Sequence, residues 1–360
     1  MEVQTGGEKK WLADFVMAHP VLRELPEHLR TALVETPAET LHGLPGCNRR
    51  RRRLLREGFV VYLYAGEKDG YTLARAMKEV GGDDRRMIEI DILRERDSSE
   101  SHDVLKRGGV YSTLLRAALD GLVKAVITSP NCRTRSVLRH YPLPQGGPRP
   151  VRTWEEPWGK SDLKDDEKKI TKEDDILMWR SLMIYIVSAE INKMFSTGLE
   201  VKLGLEQPAD PSHYMPEVVS FWKTSECEAL KRIYGLSEQT FNQSSWGGKA
   251  VKPTTFGGNL LLQLPEGECR VDKKEVIASS KELSRWAPGF VREVAKQLQI
   301  QVFKGELRMK KLSWEEHVHQ GHTPFRRDCM ICQEAAARGR MHGKVHHPKA
   351  GVLSLDVSGP

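Results

Sequence analysis

Cysteine is scarce, no long apolar run occurs, and no internal repeat is visible; each absence removes a class of protein. Six cysteines (Cys47, Cys132, Cys227, Cys269, Cys329 and Cys332) among 360 residues are too sparse for a disulfide scaffold, so a reducing compartment is expected. The most apolar helical stretch, Ser181 to Ala189, is closed off by Arg180 and Glu190. It falls far short of the roughly 20 residues that cross a bilayer, and no membrane partner is expected. The opening MEVQTGGEKK has no apolar signal core behind it, which argues against secretion. Wholesale disorder is excluded as well, because 39% of the residues are hydrophobic, enough to build a core.

What is present is charge, unevenly placed. The formal net charge is +7, and residues 304–349 hold ten Lys/Arg against five acids together with six of the twelve histidines. A second focus is the unbroken run Arg49 to Arg53. Such foci favour a polyanion, DNA or RNA, through phosphate neutralisation and counterion release. At roughly 150 residues per domain the length predicts two or three domains.

Residues 1–57 read as short helices broken by Pro20, Pro26, Pro37 and Pro45, a basic helical or linker region. From residue 59 the texture changes. FVVYLY (59–64), MIEIDI (87–92), VKAVIT (123–128) and VKLGLE (201–206) are short apolar or alternating runs suited to strands. Helical patterns lie between them at 71–80, 110–119 and 176–195. This order predicts an α/β fold, a parallel, helix-covered sheet of Rossmann type, over residues 58–265. The charged piece 159–175 reads as an exposed loop, with Thr171 as a cap and Asp174 three residues on. After residue 206 the pattern blurs: a helix around 224–234, Gly-rich loops at 240–248 and 252–260, and a helix over 281–298 broken or kinked at Pro288. Residues 266–305 read as a helical linker.

In an open parallel sheet, ligands bind beyond the carboxyl ends of the strands. The unusual residues fall there: Gly66 and Gly70 after the first strand, Glu89 and Asp91 at the end of the second, SPNCRTRS (129–136) after the third, LEQP (205–208) at the fourth. These segments resemble the motifs of DNA cytosine-5 methyltransferases. YLYAGEKDG (62–70) looks like their AdoMet-binding first motif, which implies cofactor contacts at Tyr64, Gly66 and Gly70. IEID (88–91) implies a ribose-binding role for Glu89. SPNCRTRS places Cys132 as nucleophile, LEQP places Glu206 as its acidic partner, and KPTTFGGN (252–259) resembles a Lys-Pro-Thr stretch of some phage-type members. In that chemistry a thiolate adds to cytosine C6 while a carboxylic acid near N3 relieves the developing charge, and the base is flipped out first. Arg133 and Arg135 beside Cys132 are expected to lower its pKa. A phosphatase-type loop is ruled out by count, since Leu138 stands where Cys132 needs an arginine.

The tail carries a second signal. His317 and His322, then Cys329 and Cys332, are two short-spaced pairs within HVHQGHTPFRRDCMIC, and four N/S ligands suit a closed structural zinc site over 306–345. His319 competes with His317 for one position. The element, its basic spacer and LSLDVSGP (353–360) together resemble the junction in copia-type retrotransposon Pol polyproteins. There a zinc-binding pre-integrase segment precedes an RNase H-like integrase core. The resemblance implies that residues 346–360 begin that core, and that Asp356 is the first of three carboxylates that hold Mg for phosphoryl transfer. The second Asp and the Glu are not in this sequence, so no complete integrase site is expected. Asp356 is followed by Val357, so the string is no aspartic-protease triplet. The expectation is therefore a retroelement polyprotein fragment that acts in DNA integration through nucleic acid and zinc, alongside other parts of the polyprotein, intracellular and nuclear at the time of integration. The alternatives are an AdoMet-dependent DNA methyltransferase and a DNA-binding scaffold without cofactor.

Overall fold

In β1 (Phe59–Leu63) every side chain is buried. Phe59, Val61 and Leu63 join one apolar cluster and Val60 and Tyr62 another, the pattern of a strand covered on both faces. The computed structural model describes residues 2–44, 48–67, 70–97, 102–141, 148–195, 200–265 and 284–303, with 318 and 329–331. Its strands β1, β2 (Met87–Ile90), β3 (Val123–Thr128), β4 (Lys202–Pro208), β5 (Ser237–Asn242) and β6 (Pro253–Gly258) form one sheet in the order β2-β1-β3-β4-β6-β5. The pairs β2/β1, β1/β3 and β3/β4 are parallel. β6 runs antiparallel to both β4 and β5. The fold is α/β as expected, but the sheet is mixed and not wholly parallel.

Eight α-helices lie among the described residues: α1 (Glu2–Ala18), α2 (Glu27–Leu33), α3 (Asn48–Glu57), α4 (Leu73–Glu79), α5 (Val110–Leu119), α6 (Asp165–Met194), α7 (Ser225–Tyr234) and α8 (Pro288–Leu298). On one face, Leu12 and Val16 of α1 and Leu29 and Leu33 of α2 share a cluster with Tyr111 and Leu114 of α5 and Leu182 and Ile186 of α6. Packing is therefore continuous across residue 57. On the other face Met77 of α4 meets Phe290, Val294 and Leu298 of α8 over Val60 and Ile127. Full burial of each such side chain stabilises by about 1.5–3 kcal/mol.

Three local expectations are corrected. Residues 165–175 are the first three turns of α6, not a loop. The Glu167 carboxylate reaches back to accept from Lys164 N at 3.0 Å, so the helix is capped there, and Thr171 is buried inside it. Pro288 begins α8 at its first turn, where its missing N–H costs nothing. The Gly-rich stretch 252–260 contains β6, and 240–248 opens on the last three residues of β5. β6 tolerates Pro253 because it is the strand's first residue. Its glycines are dictated by contact: a Cβ on Gly257 would stand 2.3 Å from Trp222 Cζ3, and one on Gly258, at φ +150°, 2.0 Å from Leu203 O.

Strand order reverses at β1, with β2 on one side and β3 and β4 on the other. In such a sheet ligands bind beyond the carboxyl ends of the strands, and a crevice lies beyond β1, lined by its loop, the start of α4 and residues 243–252 and 284–291.

Candidate functional site

The crevice begins at Tyr64, the one non-glycine among the described residues with a left-handed backbone, φ +62°. That conformation is strained for a side chain with a Cβ. It is held because the phenol hydroxyl donates to Leu177 O at 2.8 Å and accepts from Ser181 Oγ at 3.3 Å, both on α6. Gly66 follows at φ +71°, which glycine adopts without penalty. A cleft of about 590 Å³ runs from Tyr64, Gly66 and Gly70 across to Gln243, Lys252 and Trp286. The three residues expected around a cofactor after the first strand thus line one cavity.

Glu89 does not line it. Its Oε1 accepts from Ala74 N at 2.9 Å, at the start of α4, and its Oε2 pairs with Arg94 Nη1 at 2.8 Å. Arg94 is buried and also donates through Nε to Gly66 O at 2.7 Å. Asp91 accepts from Gly66 N at 2.8 Å and Leu93 N at 2.9 Å. Both acids at the end of β2 brace the glycine loop from behind.

Cys132 and Glu206 come together on the far side of the cleft. Glu206 is buried; its Oε2 accepts from Ser129 Oγ at 2.6 Å, and its Oε1 meets Lys252 Nζ at 3.0 Å and Gln243 Nε2 at 3.4 Å. Gln243 turns its own Oε1 to Ala287 N at 2.9 Å. Gln207 Nε2 donates to Pro130 O at 2.8 Å and so ties the Cys132 loop to β4. Lys252 and Gln243 both line the cavity, which makes the two halves of the site continuous.

The thiol is not activated as expected. Desolvation of the half-buried thiol first, and then the Glu206 charge, push Cys132 up to about 11, while Lys252 pulls the other way. The arginines that were to lower it face elsewhere. Arg133 Nε pairs with Asp174 at 2.9 Å and its Nη2 with Glu173 at 3.4 Å; Arg135 Nη2 pairs with Asp175 at 3.2 Å. Arg152 joins from residues 148–160, with Asp175 at 3.0 Å and Thr134 Oγ1 at 3.0 Å. Burial and the neighbouring Arg152 lower Arg135 to about 10. A thiol held neutral at pH 7 is a weak nucleophile.

Sequence reading missed Arg94, Gln243 and Trp286. Lys252 had been noted only inside its motif. Arg94 carried a signal, being a basic residue three positions after a strand-end acid. Trp286 carried none, since it reaches the cleft from residues far along the chain.

Each oxygen of Glu89 and Asp91 already accepts one hydrogen bond from main-chain amides or Arg94, and the cleft lining carries charge of both signs, Lys249 and Lys252 beside Glu67. No methyl-transfer step is derived from it. In the tail, Cys329 is buried, whereas His317, His322, Cys332 and Asp356 lie outside the described residues. Among the described residues no group of three metal-ligating side chains occurs, and no helix is long and apolar enough to cross a membrane. No protein family, curated protein or solved structure matches the chain.

Proposed function

We propose that the chain is a nucleic-acid-associating part of a retroelement polyprotein, built on a Rossmann-like domain that is not poised for methyl transfer by itself. The observation that carries its second half is geometric: Arg133 and Arg135, which flank Cys132, close onto the α6 carboxylates Asp174 and Asp175 instead of onto the thiol, and burial with the Glu206 charge pushes that thiol up. A basic exterior supports the association. In α3, Arg50, Arg51 and Arg53 turn inward to Arg85 O, Leu44 O and Asp83. Arg49 and Arg52 stay exposed three residues apart, on one helix face. In this reading His317, His322, Cys329 and Cys332 hold a structural zinc that shapes the tail, and Asp356 opens an integrase core that would bind Mg with carboxylates supplied elsewhere.

Three measurements test it. The chain should bind duplex DNA with an affinity that falls steeply with salt and transfer no tritium from labelled AdoMet. Salt-insensitive binding defeats the association. Tritium transfer that disappears in Cys132→Ser replaces the proposal with the methyltransferase reading, which the meeting of Cys132, Glu206 and Lys252 beside the cleft would then explain. Metal analysis should find about one zinc per chain, lost in Cys329→Ser; none in the wild type removes the zinc from the proposal.

A further inference from the structure

We infer that the cleft at the end of β1 binds a phosphorylated nucleoside, the base against Trp286 and the phosphate at Lys249 and Arg285. The site is independent of DNA association through α3. Its volume, about 590 Å³, lies within the range of small-molecule pockets. Trp286 lies 5.2 Å from Tyr62 and 4.5 Å from Phe290 between ring centroids. These contacts fix the indole as part of a rigid aromatic wall suited to a base.

The charges choose the ligand's sign. Lys249 is exposed on the cleft wall and pairs with no carboxylate among the described residues. Arg285 meets Glu67 at 3.4 Å, with 52% and 40% of the two side chains exposed. Both residues have further interactions, and a phosphate reaches the exposed guanidinium as an added partner. The first turn of α8 opens on the same cavity and carries no acid, so the helix's positive end adds to the field. Of the acids near the cleft, Glu89 and Asp91 are held behind the glycine loop by Arg94 and main-chain amides, and Glu67 on the lining stands beside Arg285. What is left is an aromatic platform beside positive charge, which selects a base carrying a phosphate.

That chemistry occurs in a free nucleotide and in the phosphorylated end of a strand. Calorimetry on the full chain with adenosine 5′-monophosphate, adenosine, AdoMet, and a short single strand with or without a 5′-phosphate separates the sources. The monophosphate should bind at least about tenfold more tightly than adenosine or AdoMet. Lys249→Gln with Arg285→Gln should erase that preference and leave adenosine binding unchanged; a matching unfolding curve shows that the variant is folded. A strand that binds more tightly than the monophosphate only when phosphorylated assigns the site to strand ends; otherwise it serves free nucleotides. Equal binding of adenosine, no heat with the monophosphate, or a preference that survives the double variant overturns the inference, whatever the DNA titrations give.

Discussion

Two groups of charges sit near the carboxyl edge of the same sheet and are used in opposite ways. Around the Cys132 loop, Arg133, Arg135 and Arg152 close onto Asp174 and Asp175, and the side chains of Arg135, Arg152 and both acids are almost wholly buried. Around the β1 cleft, Lys249 is exposed and Arg285 stays half exposed beside Glu67. The first group answers its charges internally and fixes a loop; the second leaves charge for something outside. A run of arginines beside a cysteine is therefore not evidence of an activated thiol until the carboxylates facing it from other elements are known.

The largest effect should come from breaking the closed group. Asp175→Ala strands Arg135 and Arg152, both with buried side chains, and should cost about 3–5 kcal/mol in denaturant unfolding. A loss under 1 kcal/mol would mean that solvent reaches the network and that the contrast is not real. Next comes the thiol. With Cys132 up to about 11, alkylation at pH 8 should run roughly a hundredfold slower than at an ordinary exposed cysteine. Glu206→Gln should accelerate it, because removing a negative charge lowers the thiol pKa. Unchanged rates would detach Cys132 from Glu206. Stability follows with a defined sign: as pH rises from the ordinary thiol range toward 11 the unfolded chain ionises first, so the fold loses stability in that window. Cys132→Ser should flatten that slope. The smallest effect belongs to the open group, where Lys249→Gln should shift stability by less than about 0.5 kcal/mol.

Strands β1 to β4 were legible because each is a short apolar run, and β3 has its expected bounds, Val123–Thr128. β5 was not, since SEQTFN is polar and largely exposed at the sheet's edge. The glycines of β6 follow from Trp222 and Leu203 O, atoms that no local pattern announces. The charged start of α6 read as loop for a related reason: acids look solvated in sequence, and only the distant arginines show why Asp174 and Asp175 are buried. The site was half legible. Tyr64, Gly66 and Gly70 do share a cavity, and Glu206 does reach Cys132's surroundings; the diversion of Glu89 by Arg94 needed coordinates.

The placement of α8 has a consequence for biosynthesis. Val60, Tyr62 and Ile127 are roofed in part by Phe290, Val294 and Leu298, more than 150 residues further on. Until the ribosome has delivered that helix, one side of the nascent sheet stays greasy and uncovered, and in that interval it is vulnerable to sticking to its neighbours. Chaperone dependence during translation should therefore end when α8 emerges, well after the last strand has formed.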